Sequence, residues 1–187
     1  MVQSQKLATR QGNTLPMADQ EPDQNTRKRF EDTEETTYDM LDEILVVCPR
    51  CEACARIAPL EPGRKDWLAP RRLTCTQCGY SRDWAEKTLR SIRRDKSNYN
   101  DNSTVVDPFF GEALWLQIRC GKETLWAYNY RHLTLIEKYV GAQLREHHRR
   151  PTFGWQNSSL INRLPRWMSA AKHRDAILKR VQKLREK

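Results

Sequence analysis

The chain has 187 residues, of which 38% are hydrophobic and 30% are charged, so it can build one modest core beneath a large polar surface. It contains no run of about 18 apolar residues and lacks the basic, apolar and small-residue order of a secretory signal. These features argue against a membrane protein. We therefore expect a cytoplasmic protein, in which thiols stay reduced and paired cysteines favour metal over disulfide.

The formal net charge is +9, and it is unevenly distributed along the chain. Residues 1–47 carry five basic and ten acidic side chains, whereas the remaining residues carry 28 basic and 14 acidic ones. A positive surface raises the local concentration of polyanions, which favours nucleic acid or an acidic partner. The same charge also keeps a protein soluble, so composition alone leaves the partner open.

The first segment, residues 1–43, is polar and rich in Gln, Thr, Asp and Glu, with no sustained period of two or 3.6. Such a segment buries too little apolar area to offset its ordering entropy. The sequence therefore predicts a disordered acidic tail over residues 1–43, with residues 38–42 docking loosely.

Two Cys-x-x-Cys pairs dominate the next segment, residues 44–86. The first pair lies in Cys48-Pro49-Arg50-Cys51 and the second in Cys75-Thr76-Gln77-Cys78-Gly79. Each pair turns the backbone so that its sulfurs converge, and two pairs supply the four ligands of a structural zinc ion. Short strands at 44–47, 55–58, 72–74 and 80–84 fit around these turns. We predict a zinc ribbon; a disulfide pair or buried apolar cysteines are the alternatives.

Cys54 competes for a place in the first pair, because Cys48, Cys51 and Cys54 are three evenly spaced candidates for two ligand positions. We assign Cys48 and Cys51, since Pro49 stiffens the turn between them. Cys54 is then a spare thiol. The residue after Cys51 is Glu52, at a position where such turns usually have glycine.

Residues 87–104 are basic and then polar, and they are predicted to form a linker. Arg93 and Arg94 are candidate phosphate contacts within it, although a run of charges is more often a solvated surface. Asp107-Pro108 then marks a turn into a second unit.

This second unit, residues 105–187, is predicted to be a β-hairpin packed on two amphipathic helices. Two aromatic runs, 113–120 and 124–128, flank a glycine-bearing turn and predict the hairpin. Asn129 can cap a helix over 130–149, and a last helix starts near Pro165 and continues to residue 187. Together with the ribbon, these elements give the fold class α+β.

The last helix is predicted to carry a basic outer face. Its cations lie opposite an apolar stripe, and the candidates for contact with nucleic acid or another partner are Lys172, Lys179, Arg180 and Lys183, with Lys187 beside them. Arg174 is the exception, because helical spacing places it within the apolar stripe. We therefore expect Arg174 to be a structural or interface residue that finds an acceptor.

Four motifs, taken together, carry a family resemblance. They are the two cysteine pairs, the run Leu125-Trp126-Ala127-Tyr128-Asn129, and the run Leu164-Pro165-Arg166-Trp167-Met168 followed by Ala170-Ala171-Lys172. They resemble a group of small bacterial zinc-ribbon proteins, whose names are borrowed from transcription-factor-type zinc ribbons or from the replication-restart helicase. The resemblance covers roughly residues 44–187. It implies a bacterial cytoplasmic protein with a ribbon and an appended helical unit, and it implies no reaction.

No catalytic motif accompanies these features. Around Gly121-Lys122-Glu123, the first glycine and the hydroxyl residue of a nucleotide-binding loop are replaced by Leu116 and Glu123, so no helicase motor is expected. Four zinc-bound thiolates leave no open position for a substrate. Cys120 and His132 are interpreted as a buried thiol and a core or boundary histidine, because Cys120 has no evident activating partner.

We therefore expect a non-enzymatic zinc-ribbon protein that binds nucleic acid through its basic surface. Exposed aromatic side chains near arginines would offer stacking surfaces, and the candidates are Trp67, Tyr80 and Trp84. The alternative is an adaptor or immunity-type protein that recognises a specific protein partner through the aromatic hairpin, the helical unit and the acidic tail.

Overall fold

The computed structural model describes residues 28–33, 35–64, 66–84, 104–146 and 159–187. The candidate contacts Arg93 and Arg94, and nearly all of the predicted linker, lie outside these ranges. The fold combines a small antiparallel sheet with helices that follow it in the chain, which confirms the class α+β.

The ribbon forms a four-stranded antiparallel sheet in the order β2-β3-β4-β5. Alternating side chains explain its two faces, since Ile57 and Leu73 are fully buried while their strand neighbours Arg56 and Arg72 point to solvent. The four strands occupy the regions predicted for them: β2 (Ile44–Val47), β3 (Cys54–Pro59), β4 (Arg71–Thr74) and β5 (Ser81–Trp84).

The predicted hairpin is present as β6 (Leu116–Cys120) and β7 (Glu123–Ala127). The residues just before β6 bond to the edge strand of the ribbon. The amide of Trp115 donates to the Leu45 carbonyl at 2.9 Å, and the amide of Val47 donates to the Ala113 carbonyl at 2.8 Å. The hairpin therefore starts as an extension of the ribbon sheet, and the buried side chains of both parts form one hydrophobic core.

Helix α1 (Tyr130–Gly141) begins where the sequence predicts it but ends earlier. Its cap is Asn129, whose side chain accepts from the His132 amide at 2.9 Å and donates to the carbonyls of Met40 and Glu43. The prediction of a helix to residue 149 is wrong. Ala142 is extended, and Leu144 starts a strand. The prediction went too far because the apolar residues keep a helical spacing beyond Gly141, where the helix ends.

That strand, β8 (Leu144–Glu146), pairs in parallel with β1 (Arg29–Glu31) from the N-terminal segment. The prediction of a disordered tail is wrong for residues 28–33 and 35–43, which include β1 and a 3-10 helix, Thr37–Met40. Met40 and Leu41 are fully buried, and the Phe30 ring lies 5.5 Å from the Tyr139 ring. A few apolar anchors order this segment, although its average composition is polar. Residues 1–27 lie outside the described ranges.

The C-terminal part contains a break that the sequence analysis did not predict. Helix α2 (Arg166–Ser169) stops at the extended residue Ala170, and a 3-10 turn, Ala171–His173, leads into helix α3 (Arg174–Arg185). The side chains of Ile177, Val181 and Leu184 are buried, so the predicted apolar stripe is present on α3.

Arg174 has the structural role that its position in the stripe predicts. Its guanidinium donates to the Val140 carbonyl at 3.1 Å and to the Ala142 carbonyl at 3.0 Å. These carbonyls belong to the last turn and the C-cap of α1, where backbone acceptors lack helical partners. Arg174 therefore joins the start of α3 to the end of α1.

In the described ranges, no helix has the length and apolar character needed to cross a membrane.

Candidate metal centre

The two cysteine pairs form turns with the same hydrogen-bond pattern. The amide of Cys48 donates to the Ala53 carbonyl, and the amide of Cys75 donates to the Tyr80 carbonyl, each at 2.8 Å. The residue after each pair donates back to the first cysteine: Glu52 to Cys48 at 2.9 Å and Gly79 to Cys75 at 3.0 Å. Each turn thus places its two sulfurs on the same side, as the spacing predicted.

The four sulfurs have the spacing of a tetrahedral thiolate site. The Cys48 and Cys78 sulfurs are 3.7 Å apart, the Cys51 and Cys75 sulfurs are 3.6 Å apart, and all four lie within 4.8 Å of one another. Zinc–sulfur bonds of about 2.3 Å require sulfur–sulfur edges of about 3.8 Å in a regular tetrahedron. The residues present therefore fit a closed four-cysteine metal site, and zinc is the ion that such a donor set favours.

The pKa values of two of these thiols show how strongly the neighbouring sulfurs influence one another. Burial opposes ionisation of Cys48, but the Arg50 amide, 3.4 Å from its sulfur, and the neighbouring thiols lower the pKa of Cys48 to about 7. The amide of Ala53 favours the Cys51 thiolate, yet the thiols of Cys78 and Cys75 together with burial raise the pKa of Cys51 to about 12. Four thiolates this close cannot all ionise without a cation, and a bound divalent metal would supply that charge.

Cys54 lies outside the sulfur cluster, in agreement with its assignment as a spare thiol. It is the first residue of β3, opposite Val47. His132 lies in the core, as its interpretation as a core or boundary histidine predicts, whereas Cys120 is half-buried and not the buried thiol that was predicted. His132 is 2% exposed, its Nδ1 accepts from the Tyr128 amide at 3.3 Å, and burial lowers its pKa to about 4.

Glu52 and Gly79 occupy equivalent positions with left-handed backbone, at φ 61° and φ 70°. Glycine adopts this conformation freely, whereas a residue with a Cβ is destabilised there. We expect Glu52→Gly to stabilise the protein by about 0.5–1 kcal/mol, and Gly79→Ala to destabilise it by about 1 kcal/mol. A Cβ at Gly79 would meet nothing within 4 Å, so the penalty comes from the backbone alone.

Urea unfolding of the metal-loaded protein measures both changes. Equal stabilities of Glu52→Gly and the parent would show that the Glu52 side chain makes a compensating contribution.

The basic residues predicted to bind a partner fall into two groups. Lys172, Lys179 and Lys183 are exposed. Arg180 and Lys187 instead contact the hairpin, because Arg180 donates to the Arg119 carbonyl at 3.1 Å and Lys187 donates to the Trp115 carbonyl at 2.8 Å. The predicted outer face is therefore narrower than its sequence suggests, and it adjoins the edge of β6.

The ribbon aromatics are less available for stacking than predicted. Trp67 and Trp84 both pack against Phe109, with ring centroids 5.6 Å and 5.0 Å apart, and both are half-buried. They surround Arg71, whose guanidinium carbon lies 4.2 Å from the centre of the Phe109 ring. Neither this cluster nor the contact between Lys187 and Trp115 is predictable from the sequence, since neither involves residues at regular spacing.

Comparison of the chain with protein-family models, with curated proteins and with solved structures gives no match. The resemblance to small bacterial zinc-ribbon proteins therefore stays a prediction from the motifs.

Proposed function

We propose that this is a non-enzymatic zinc-ribbon protein that binds nucleic acid through the basic surface of its C-terminal segment. The observation that carries the proposal is the placement of charge. Residues 159–187 contain nine basic and two acidic side chains. Within this segment, Lys172, Lys179 and Lys183 are exposed and form no ion pair with other described residues, so their charges are available to phosphates.

The ribbon itself is a poorer candidate for the phosphate contact, because three of its surface arginines are paired with carboxylates. Arg56 lies 2.8 Å from Glu43, Arg64 lies 2.8 Å from Asp66, and Arg72 lies 2.6 Å from Asp83. Such pairs contribute little to stability at the surface, but they neutralise the field that a polyanion would meet. We therefore assign the ribbon a structural role and α3 the binding role.

The proposed role of zinc follows from the connections between these parts. The metal would fix the turns that end β2 and begin β5, and β2 bonds to the residues that lead into the hairpin. Helix α3 packs on β6 of that hairpin. The proposed binding surface is thus supported by the metal-bound module, although no ligand of the metal belongs to that surface.

Charge reversal on α3 tests this function. We expect Lys179→Glu combined with Lys183→Glu to weaken oligonucleotide binding and to reduce the slope of log affinity against log salt by roughly 2, because two phosphate contacts are lost. The measurement is fluorescence anisotropy of a labelled oligonucleotide over a series of salt concentrations.

The matched control is Lys28→Glu combined with Lys138→Glu, which changes the net charge equally. Both residues line a groove beside β1, which α3 borders through Leu178 and Gln182 and not through Lys179 or Lys183. Equal losses in the two double variants would indicate that only net charge matters, and absence of binding by the parent protein at low salt would contradict the proposal.

A protein partner is the second candidate function, and a separate surface favours it. Tyr38, Leu60 and Leu68 are exposed at the loop end of the ribbon, with 49%, 43% and 39% of their surfaces accessible. Tyr38 also contacts Trp67, which precedes Leu68 in the chain, so the exposed surface includes both the N-terminal segment and the ribbon loop. Recovery of one specific protein with the parent, and its loss with Leu68→Lys, would support this candidate over nucleic acid.

A further inference from the structure

Trp115 lies where the hairpin joins the ribbon sheet, and its backbone is held by the hydrogen bond to Leu45. Its indole is only partly buried. Trp67 and Trp84 both pack against the Phe109 ring, and Trp126 packs against Tyr128. In the described part of the chain, no aromatic ring packs against Trp115 in this way. Its indole is thus a partly buried ring that packs against the hydrophobic core and also contacts a charged neighbour.

That neighbour is Lys187. Its ammonium lies 4.1 Å from the centre of the Trp115 ring and also donates to the Trp115 carbonyl. A lysine ammonium is held on a flexible stem, and the stacking of a nucleobase on tryptophan is at least as strong as a cation–π contact with a partly buried ring. A base can therefore take the place of the ammonium on this ring without disturbing the core.

Two exposed cations of α3 precede Lys187 at four-residue spacing. Lys179 and Lys183 are one helical turn apart, and Lys187 follows just after the helix ends. A row of cations beside an aromatic face is the combination that proteins use to hold single strands, in which the backbone follows the charges and the bases stack on the rings. The bases of a duplex are already stacked on one another and offer no free face.

We propose that the nucleic acid bound at this surface is single-stranded and that one of its bases stacks on Trp115, with Lys187 moving from the ring to a neighbouring phosphate. This inference rests on the proposed function. The inference specifies in addition that the ligand is single-stranded and that Trp115 discriminates between single strands and duplexes.

The test compares three labelled probes with the full-length, metal-loaded chain at matched salt: a single-stranded DNA of about 15 nucleotides, the RNA of the same sequence, and the corresponding DNA duplex. We expect at least one single strand to bind about tenfold more tightly than the duplex. Trp115→Leu should weaken single-strand binding by about tenfold while leaving duplex binding and the salt slope unchanged, because stacking carries no charge.

Trp84→Leu is the matched control, since it removes another half-buried tryptophan that packs inside the protein. Trp115→Phe keeps an aromatic face and should retain part of the preference, which covers the case in which Trp115→Leu does not fold. The inference is overturned if the duplex binds as tightly as both single strands. It is also overturned if Trp115→Phe and Trp115→Leu both bind single strands with the affinity of the parent. Either result leaves the proposed function intact. Binding of none of the probes overturns both.

Discussion

Replacing Cys78 with serine is expected to abolish metal binding and to unfold the protein well beyond the ribbon. Binding energy of a structural zinc ion is folding energy, and its usual size of about 10–16 kcal/mol is comparable to the whole stability of a small domain. Cys48 and Cys75, which share the site with Cys78, are buried in the same core as the hairpin and α1. Loss of the metal therefore removes support from the centre of the fold.

Two measurements check this result: the metal content of protein purified without added zinc, and the thermal unfolding curve. The parent should contain about one ion per chain, as four thiolate ligands require, and Cys78→Ser should contain none and show no cooperative transition. Cys54→Ser is the matched control and should keep both properties, because Cys54 lies outside the sulfur cluster. A folded, metal-free parent would contradict the assignment of the site, and loss of metal from Cys54→Ser would show that the ligands are paired differently.

The second large effect is expected at Arg71, a fully buried cation. Its guanidinium donates to the Leu41 carbonyl and, at 3.1 Å, to the Asp66 carbonyl, and it lies over the Phe109 ring. Burial lowers its pKa to about 10, so it stays charged at neutral pH. Arg71 thus connects the N-terminal segment, the ribbon loop and the turn before the hairpin through a side chain that has no access to water.

Arg71→Ala is expected to destabilise the protein by about 3–5 kcal/mol, because it leaves two carbonyls without a donor and opens a cavity beneath Phe109. Arg72→Ala is the control on the next residue. Arg72 is exposed and pairs with Asp83 at the surface, so its loss should cost about 1 kcal/mol or less.

Urea unfolding of both arginine variants separates these expectations. Similar midpoints for Arg71→Ala and Arg72→Ala would mean that the buried contacts of Arg71 contribute no more than a surface ion pair.

The sequence alone was sufficient for the features that depend on residues close together in the chain. The Cys-x-x-Cys spacing predicted which sulfurs converge, since each turn is closed by its own backbone. Short runs bounded by the cysteine turns and by proline and glycine predicted β2 to β5, and two aromatic runs around a glycine-bearing turn predicted the hairpin. Asn129 predicted the start of α1. The position of Arg174 in the apolar stripe also indicated a buried acceptor, because helical periodicity determines which face a side chain occupies.

Only the tertiary structure decided the features in which two distant segments meet. The strand β1 exists because Arg29–Glu31 finds β8 more than a hundred residues later, and such pairing leaves no signature in local composition. The residues that follow α1 form β8, which pairs with β1, although the helical spacing of their apolar residues continues past Gly141. Arg71 and Arg72 are neighbours with identical side chains, and the packing of Leu41, Asp66 and Phe109 decides that one is buried. A local pattern specifies the face that a residue occupies, whereas the segment that covers that face depends on the path of the whole chain.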